Sequence, residues 1–131
     1  MVEEVIITFD GGAKPNPGKG YGSYNIRIDG NDKPIHGESE KFYGDNLTSN
    51  QSEYIAVTRG CEKIKELFGN NCKIHIVGDS ELVLKQISGE YRVRNEKLIP
   101  LNQELMDYLK EFNSYSVQHR PREQSVKEFG H

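Results

Sequence analysis

Cysteine is scarce: Cys61 and Cys72 are the only two. They form no CxxC pair and lack a histidine at zinc-ligand spacing. A disulfide framework and a structural zinc site are thereby excluded, and both thiols read as reduced packing residues in a reducing compartment. A run of about 18 apolar residues is also missing, so no membrane-spanning helix is expected. The start, "MVEEVIITFD", lacks the basic, apolar, small-residue order of a secretory signal. The expectation is a cytoplasmic protein. Excess positive charge is absent too: the net charge is −3, which excludes a chain that coats nucleic acid by overall basicity. It leaves room for an enzyme whose metal-binding carboxylates lower the total while a local basic patch does the gripping. Repeats, low-complexity tracts and linkers are lacking, so the 131 residues are expected to form a single domain, 1–131, around one core. The apolar content of 34% and charged content of 28% suit a soluble globular chain.

What is present is patterned. Val5, Ile7 and Phe9 alternate with Ile6, Thr8 and Asp10, which predicts a strand ending at Asp10. A glycine-rich turn follows, then "YGSYNIRID" alternates again, and "KPIHGESEKFYG" reads as its more polar partner across "DGNDK". These three predict an antiparallel meander. Tyr54, Val57, Cys61, Ile64 and Phe68 then fall at three-four spacing, with Thr48, Ser49 and Asn50 supplying caps and Gly69 closing the helix. A short strand, "CKIHIVGD", ends at Asp79, and Ser80 caps a second helix. A third helix is marked by Leu98, Leu101, Leu105, Tyr108 and Phe112, with Pro100 in its first turn, and "SYSVQHRP" is the last strand. Strand, long crossover, strand implies that the first and fourth strands are parallel and adjacent. The fold class is α/β or α+β, a mixed sheet with helices packed on it.

Sheets of this kind place sites beyond the carboxyl ends of adjacent parallel strands, where both Asp10 and Asp79 sit. Glu53 lies beside the inward stripe of its helix, since Val57, Gly60 and Ile64 follow it at helical spacing. Taken singly, Asp10 is a turn residue, Glu53 a helix-dipole residue and Asp79 a helix-cap neighbour. Jointly they stand at two strand ends and one inward helix face. Three carboxylates in one place repel one another unless a hard, oxygen-seeking cation such as Mg²⁺ compensates them.

The succession "FDGGAKPNPGKGYG", "TSNQSEYIAV" and "GDSELVLKQISGEYRVRNEKL" resembles type 1 ribonuclease H, in the compact form without a basic protrusion. The resemblance covers about Val5 to Gln124. It implies a five-stranded mixed sheet, three antiparallel strands then two parallel ones, flanked by helices. It implies an endonuclease that hydrolyses the RNA strand of RNA/DNA hybrids, leaving 5′-phosphate and 3′-hydroxyl ends. Asp10, Glu53 and Asp79 would be the catalytic residues and ligands of two Mg²⁺, with Mn²⁺ as a possible substitute. Asn16, Ser49 and Asn50 would reach the minor groove, where 2′-hydroxyls mark RNA, although Asn16 between prolines also reads as a turn former. The backbones of Gly11 and Gly12 would approach substrate closely. Lys85, Arg92 and Arg94, with Lys97, would contact phosphates. Tyr91 among them reads as a core anchor, and His119 as a surface residue at a strand end.

The chain departs from the pattern at its end. The family's fourth carboxylate is expected at Phe129, and Ser125 stands where an asparagine is usual. Glu128 is one residue early, a rotation of about 100° on a helix, and His131 is two late; both stay open as substitute ligands. The alternative to an enzyme is therefore a module of the same fold that binds hybrid or double-stranded RNA with weak or no cleavage. With no protruding apolar patch in the sequence, a monomer is expected.

Overall fold

Alternation puts Val5, Ile7 and Phe9 on one face of the first strand, β1 (Glu4–Lys14), where all three are fully buried. The computed structural model describes residues 2–130. β2 (Gly18–Ile28) and β3 (His36–Leu47) complete an antiparallel meander. Helix α1 (Ser49–Phe68) crosses over to β4 (Lys73–Gly78), which lies parallel to β1. Helices α2 (Glu81–Ser88) and α3 (Ile99–Glu111) precede β5 (Ser114–His119), parallel to β4. The sheet order is β3-β2-β1-β4-β5, the mixed five-stranded sheet expected from the sequence. No helix among the described residues is long and apolar enough to cross a membrane.

The expected strand end at Asp10 needs correction. β1 runs on to Lys14, paired with β2 as far as Lys14 opposite Lys19, and the turn is confined to Pro15, Asn16 and Pro17. Glycines 11 and 12 pair through their backbones as any residue does, whereas proline has no N–H to give a ladder. The helix boundaries follow their caps. Thr48 accepts from the Gln51 amide while the Gln51 side chain accepts from the Thr48 amide, a reciprocal capping box. Ser80 caps α2, and Gly89 ends it in the left-handed conformation.

One hydrophobic core joins the buried face of β1, β2 and β4 to α1, α2 and α3; Tyr54, Val57, Cys61 and Ile64 carry the α1 stripe, and Leu105 and Leu109 that of α3. Cys61 and Cys72 are buried free thiols, and burial raises the Cys61 thiol to about 12, so it stays protonated. At Gly60 a side chain would press on Ile7 and Tyr24 at 3.3–3.4 Å, so glycine lets α1 settle closely onto the sheet. The opposite face carries Thr8, Asp10, Ser23, Asn25 and Arg27, with Thr8 directly across from Asn25 and Asp10 across from Ser23. A fourth helix, α4 (Arg122–Phe129), packs there against β1.

Candidate metal centre and nucleic-acid interface

The parallel register pairs Thr8 with Val77. Two residues further on, just past the end of the β1–β4 pairing, Asp10 within β1 comes level with Asp79, the residue after β4. The third acid arrives from α1, whose start lies so close to β1 that a Cβ on Gly11 would sit 2.5 Å from the Glu53 amide nitrogen and 2.5 Å from the Ser52 carbonyl carbon. Only glycine tolerates that approach. Ligand oxygens of Asp10, Glu53 and Asp79 all lie within 4.8 Å of one another, the one such group among the described residues. The sequence-predicted triad is thus brought together by three separate elements.

Asp10 and Glu53 are 1% and 5% exposed. Burial pushes the Glu53 carboxyl well above its ordinary range, and the Asp10 and Asp79 charges push it further; the Gly11 N–H, donating to it, only partly offsets this. Glu53 Oε2 is buried with no hydrogen-bond partner. A buried carboxylate oxygen without a donor is costly, and three hard oxygen donors at this spacing suit an Mg²⁺- or Mn²⁺-like cation. The residues therefore fit the metal that the pattern implies.

The expected fourth ligand is absent from this group. Phe129 stands half-buried with its ring 5.8 Å from the Arg120 guanidinium carbon. Glu128 turns away from the triad: Oε2 accepts from Thr8 Oγ1 at 2.7 Å, Asn25 Nδ2 at 2.7 Å and Arg27 Nη1 at 2.8 Å, and Oε1 accepts from Arg120 Nη1 at 2.7 Å. The helical offset of one residue explains the direction, and the polar face of β1 and β2 explains the destination. His131 lies outside the described residues. A cation stands against two of the three acids. Arg122 Nη1 is 3.5 Å from Asp10 Oδ1 and 3.2 Å from Asp79 Oδ2, with its side chain 63% exposed. Sequence reasoning does not single out Arg122; its one signal is its place three residues after the last strand, where a helix start faces the strand ends.

Asn16 sits in the β1–β2 turn, and its Oδ1 accepts from the Ser49 amide at 3.1 Å. That bond ties the turn to the start of α1 and sets Asn16, Ser49 and Asn50 side by side near Glu53. The Gly11 amide is committed to Glu53, while a Cβ on Gly12 would meet nothing within 4 Å, so Gly12 is the open point of approach. Gly11, Gly12, Lys14, Tyr21, Glu40 and Arg122 line a cleft of about 340 Å³ beside Asp10. Arg92, Arg94 and Lys97 are exposed on the connection between α2 and α3. Lys85 differs from them: it pairs with Glu81 at 2.7 Å and lies 5.0 Å from the Tyr91 ring centroid. Tyr91 is 42% exposed and no core anchor, because it projects from the surface connection under the Lys85 ammonium. His119 is exposed at the end of β5, as expected, and its Nε2 lies 3.2 Å from the Asp79 carbonyl oxygen.

The family model described as reverse transcriptase-like matches residues 8–127. A ribonuclease H of Caldicellulosiruptor saccharolyticus is 30% identical, with 86% of this chain and 79% of that protein covered. A bifunctional protein of Mycobacterium tuberculosis is 28% identical over 91% of this chain, which spans only 32% of that protein's length. Among solved structures, the ribonuclease H1 of the halophilic archaeon Halobacterium salinarum superposes with a TM-score of 0.83 at 28% identity, covering 96% of this chain and 90% of that one. The LC11 ribonuclease H1, solved in complex with an RNA/DNA hybrid, superposes with a TM-score of 0.85 at 28% identity, covering 95% and 92%. With a triad in place, a ribonuclease H sheet order and matches across nearly its whole length, the chain belongs to the reverse transcriptase-like family, as a type 1 ribonuclease H.

Proposed function

We propose that the chain hydrolyses the RNA strand of RNA/DNA hybrids at a two-metal centre held by Asp10, Glu53 and Asp79. The observation that carries this reading is the buried, unpartnered Glu53 Oε2 facing two further carboxylates. Held by these three acids, two divalent ions would supply the charge that activates water and stabilises the leaving oxygen of an in-line displacement. The chain's own contribution is rigid placement. Asp10 and Asp79 are set by strand register, and Glu53 by the Gly11 amide and the close packing of α1. No serine or cysteine nucleophile is required, and direct attack of water on phosphorus leaves a 5′-phosphate and a 3′-hydroxyl. Asn16 and Ser49, joined by their hydrogen bond, and Asn50 next in the chain face the RNA strand, whose 2′-hydroxyls distinguish it. Arg92 and Arg94 contact phosphates of the duplex, with Lys85 available once it leaves Glu81.

A second reading has its own observation: Glu128 is turned away and Arg122 stands against Asp10 and Asp79. A site short of one acid and carrying a competing cation suits a hybrid-binding module of weak or no cleavage. A labelled hybrid incubated with Mg²⁺, Mn²⁺ or EDTA, alongside duplex RNA and duplex DNA, separates the two. Metal-dependent cutting of the RNA strand of the hybrid alone, abolished by Asp10→Asn, supports the enzyme; binding without cutting supports the module.

A further inference from the structure

Helix α4 buries little of itself beyond Phe129, which is half-buried with its ring near the Arg120 guanidinium. Of its eight residues only Ser125 is buried, and Val126 is 43% exposed. A helix this short does not persist by its own propensity, so tertiary contacts must anchor it. The Glu128 carboxylate supplies them, accepting four hydrogen bonds from β1, β2 and Arg120. Arg120 is itself buried, donates to Ser125 Oγ at 3.2 Å and has its amide bonded to the Gly78 carbonyl. Every one of these groups is off the metal centre, yet the clamp sits at Thr8, two residues and about 7 Å along the strand from Asp10. Arg122 is six residues before Glu128, a rise of about 9 Å along the helix. The helix therefore runs back along β1, fastened at one end to the sheet and carrying at its other end the guanidinium that meets Asp10 and Asp79.

We propose that Glu128 is a positioning residue: by fixing α4 to the sheet it holds Arg122 over Asp10 and Asp79 as the built-in counter-cation of the triad, in competition with the metal. The proposal rests on the triad being a metal site and does not require that the protein cleave anything. Its test is a double-mutant cycle read by calorimetric titration of Mn²⁺ into the metal-free full chain, with no nucleic acid present. Arg122→Ala tightens Mn²⁺ binding about twofold to fivefold, the scale of exposed ion pairs. Glu128→Gln tightens it in the same direction by no more than that, and in the Arg122→Ala background it has no further effect. Relaxation of the Arg122 side-chain Nε in labelled protein gives the second readout: ordered in the unaltered chain, mobile on the picosecond to nanosecond scale in Glu128→Gln.

The proposal is overturned if Glu128→Gln leaves both Arg122 order and Mn²⁺ affinity unchanged, or if its effect adds in full to that of Arg122→Ala. Weakened Mn²⁺ binding in both backgrounds overturns it differently, by making Glu128 a ligand. Should Glu128→Gln fail to fold, Asn25→Ala removes one donor, keeps every charge and carries the same test at smaller amplitude. If the unaltered protein binds no Mn²⁺, the metal reading fails, while the Arg122 relaxation comparison still decides whether Glu128 positions that side chain.

Discussion

Replacing Glu128 with glutamine removes the negative charge at the centre of the clamp while keeping its shape. Burial by itself would raise the Glu128 carboxyl, but the hydrogen bonds from Asn25, Thr8, Arg27 and Arg120 outweigh it and hold the group at about 2. In the unfolded chain it titrates at about 4.3. At about 1.4 kcal/mol per pH unit, the difference contributes about 3 kcal/mol, and with the side chain only 12% exposed solvent screening removes little of it. Because the folded value lies below the unfolded one, this stability is complete above about pH 5 and is lost as the pH falls from about 4.3 towards 2. Urea unfolding followed by far-ultraviolet circular dichroism should show Glu128→Gln about 3 kcal/mol less stable at pH 7, roughly 10 °C in melting temperature for a chain of this size. The gap should shrink below about 1 kcal/mol by about pH 2. Subtracting one protein from the other cancels the remaining acids, such as Glu38 with its Arg59 partner. A gap that stays constant between about pH 7 and about pH 2.5, or no gap at neutral pH, would refute the clamp.

Three other outcomes follow from the site. Glu53→Gln should stabilise the metal-free protein at about pH 8, since a carboxyl held above its ordinary range opposes folding as the pH rises past its unfolded value; it should also abolish the rise in melting temperature on adding Mn²⁺, and an unchanged Mn²⁺ response would count against Glu53 as a ligand. Gly11→Ala should cost about 2–3 kcal/mol and reduce any hybrid cleavage at least about tenfold, because its Cβ meets the backbone of Ser52 and Glu53 at 2.5 Å; a wild-type melting curve would show that α1 moves freely. Arg92→Ala with Arg94→Ala should make the salt slope of hybrid binding shallower by about one for each phosphate these guanidinium groups neutralise without shifting the melting temperature, whereas Lys85→Ala should change it less because Glu81 already neutralises that ammonium.

Much of the candidate site was legible in the amino-acid sequence. Period-two alternation showed which face of β1 is buried, and bringing Asp10 level with Asp79 required no knowledge of packing beyond a parallel crossover. Glu53 was legible because three-four spacing places it beside the apolar stripe of α1. The reach of β1 was not legible: glycine and proline both read as turn formers, and only the backbone ladder shows that Gly11 and Gly12 remain in the strand. Tyr91 was misread for a related reason, since an aromatic in a polar run gives no sign of which way its connection faces.

The sequence by itself determined the order of the elements from β1 to β5, the inward faces of β1, α1 and α3 and the convergence of three acids, because those follow from local periodicity and chain connectivity. Only the tertiary structure decided where Glu128 and Arg122 go. They lie six positions apart on an eight-residue helix with almost no apolar stripe, so local pattern says nothing of its orientation. The direction of Glu128 is set by hydrogen-bonding partners on strands 101 to 120 residues earlier in the chain, and that of Arg122 by the charges of Asp10 and Asp79. Such long-range electrostatic complementarity has no periodicity to read.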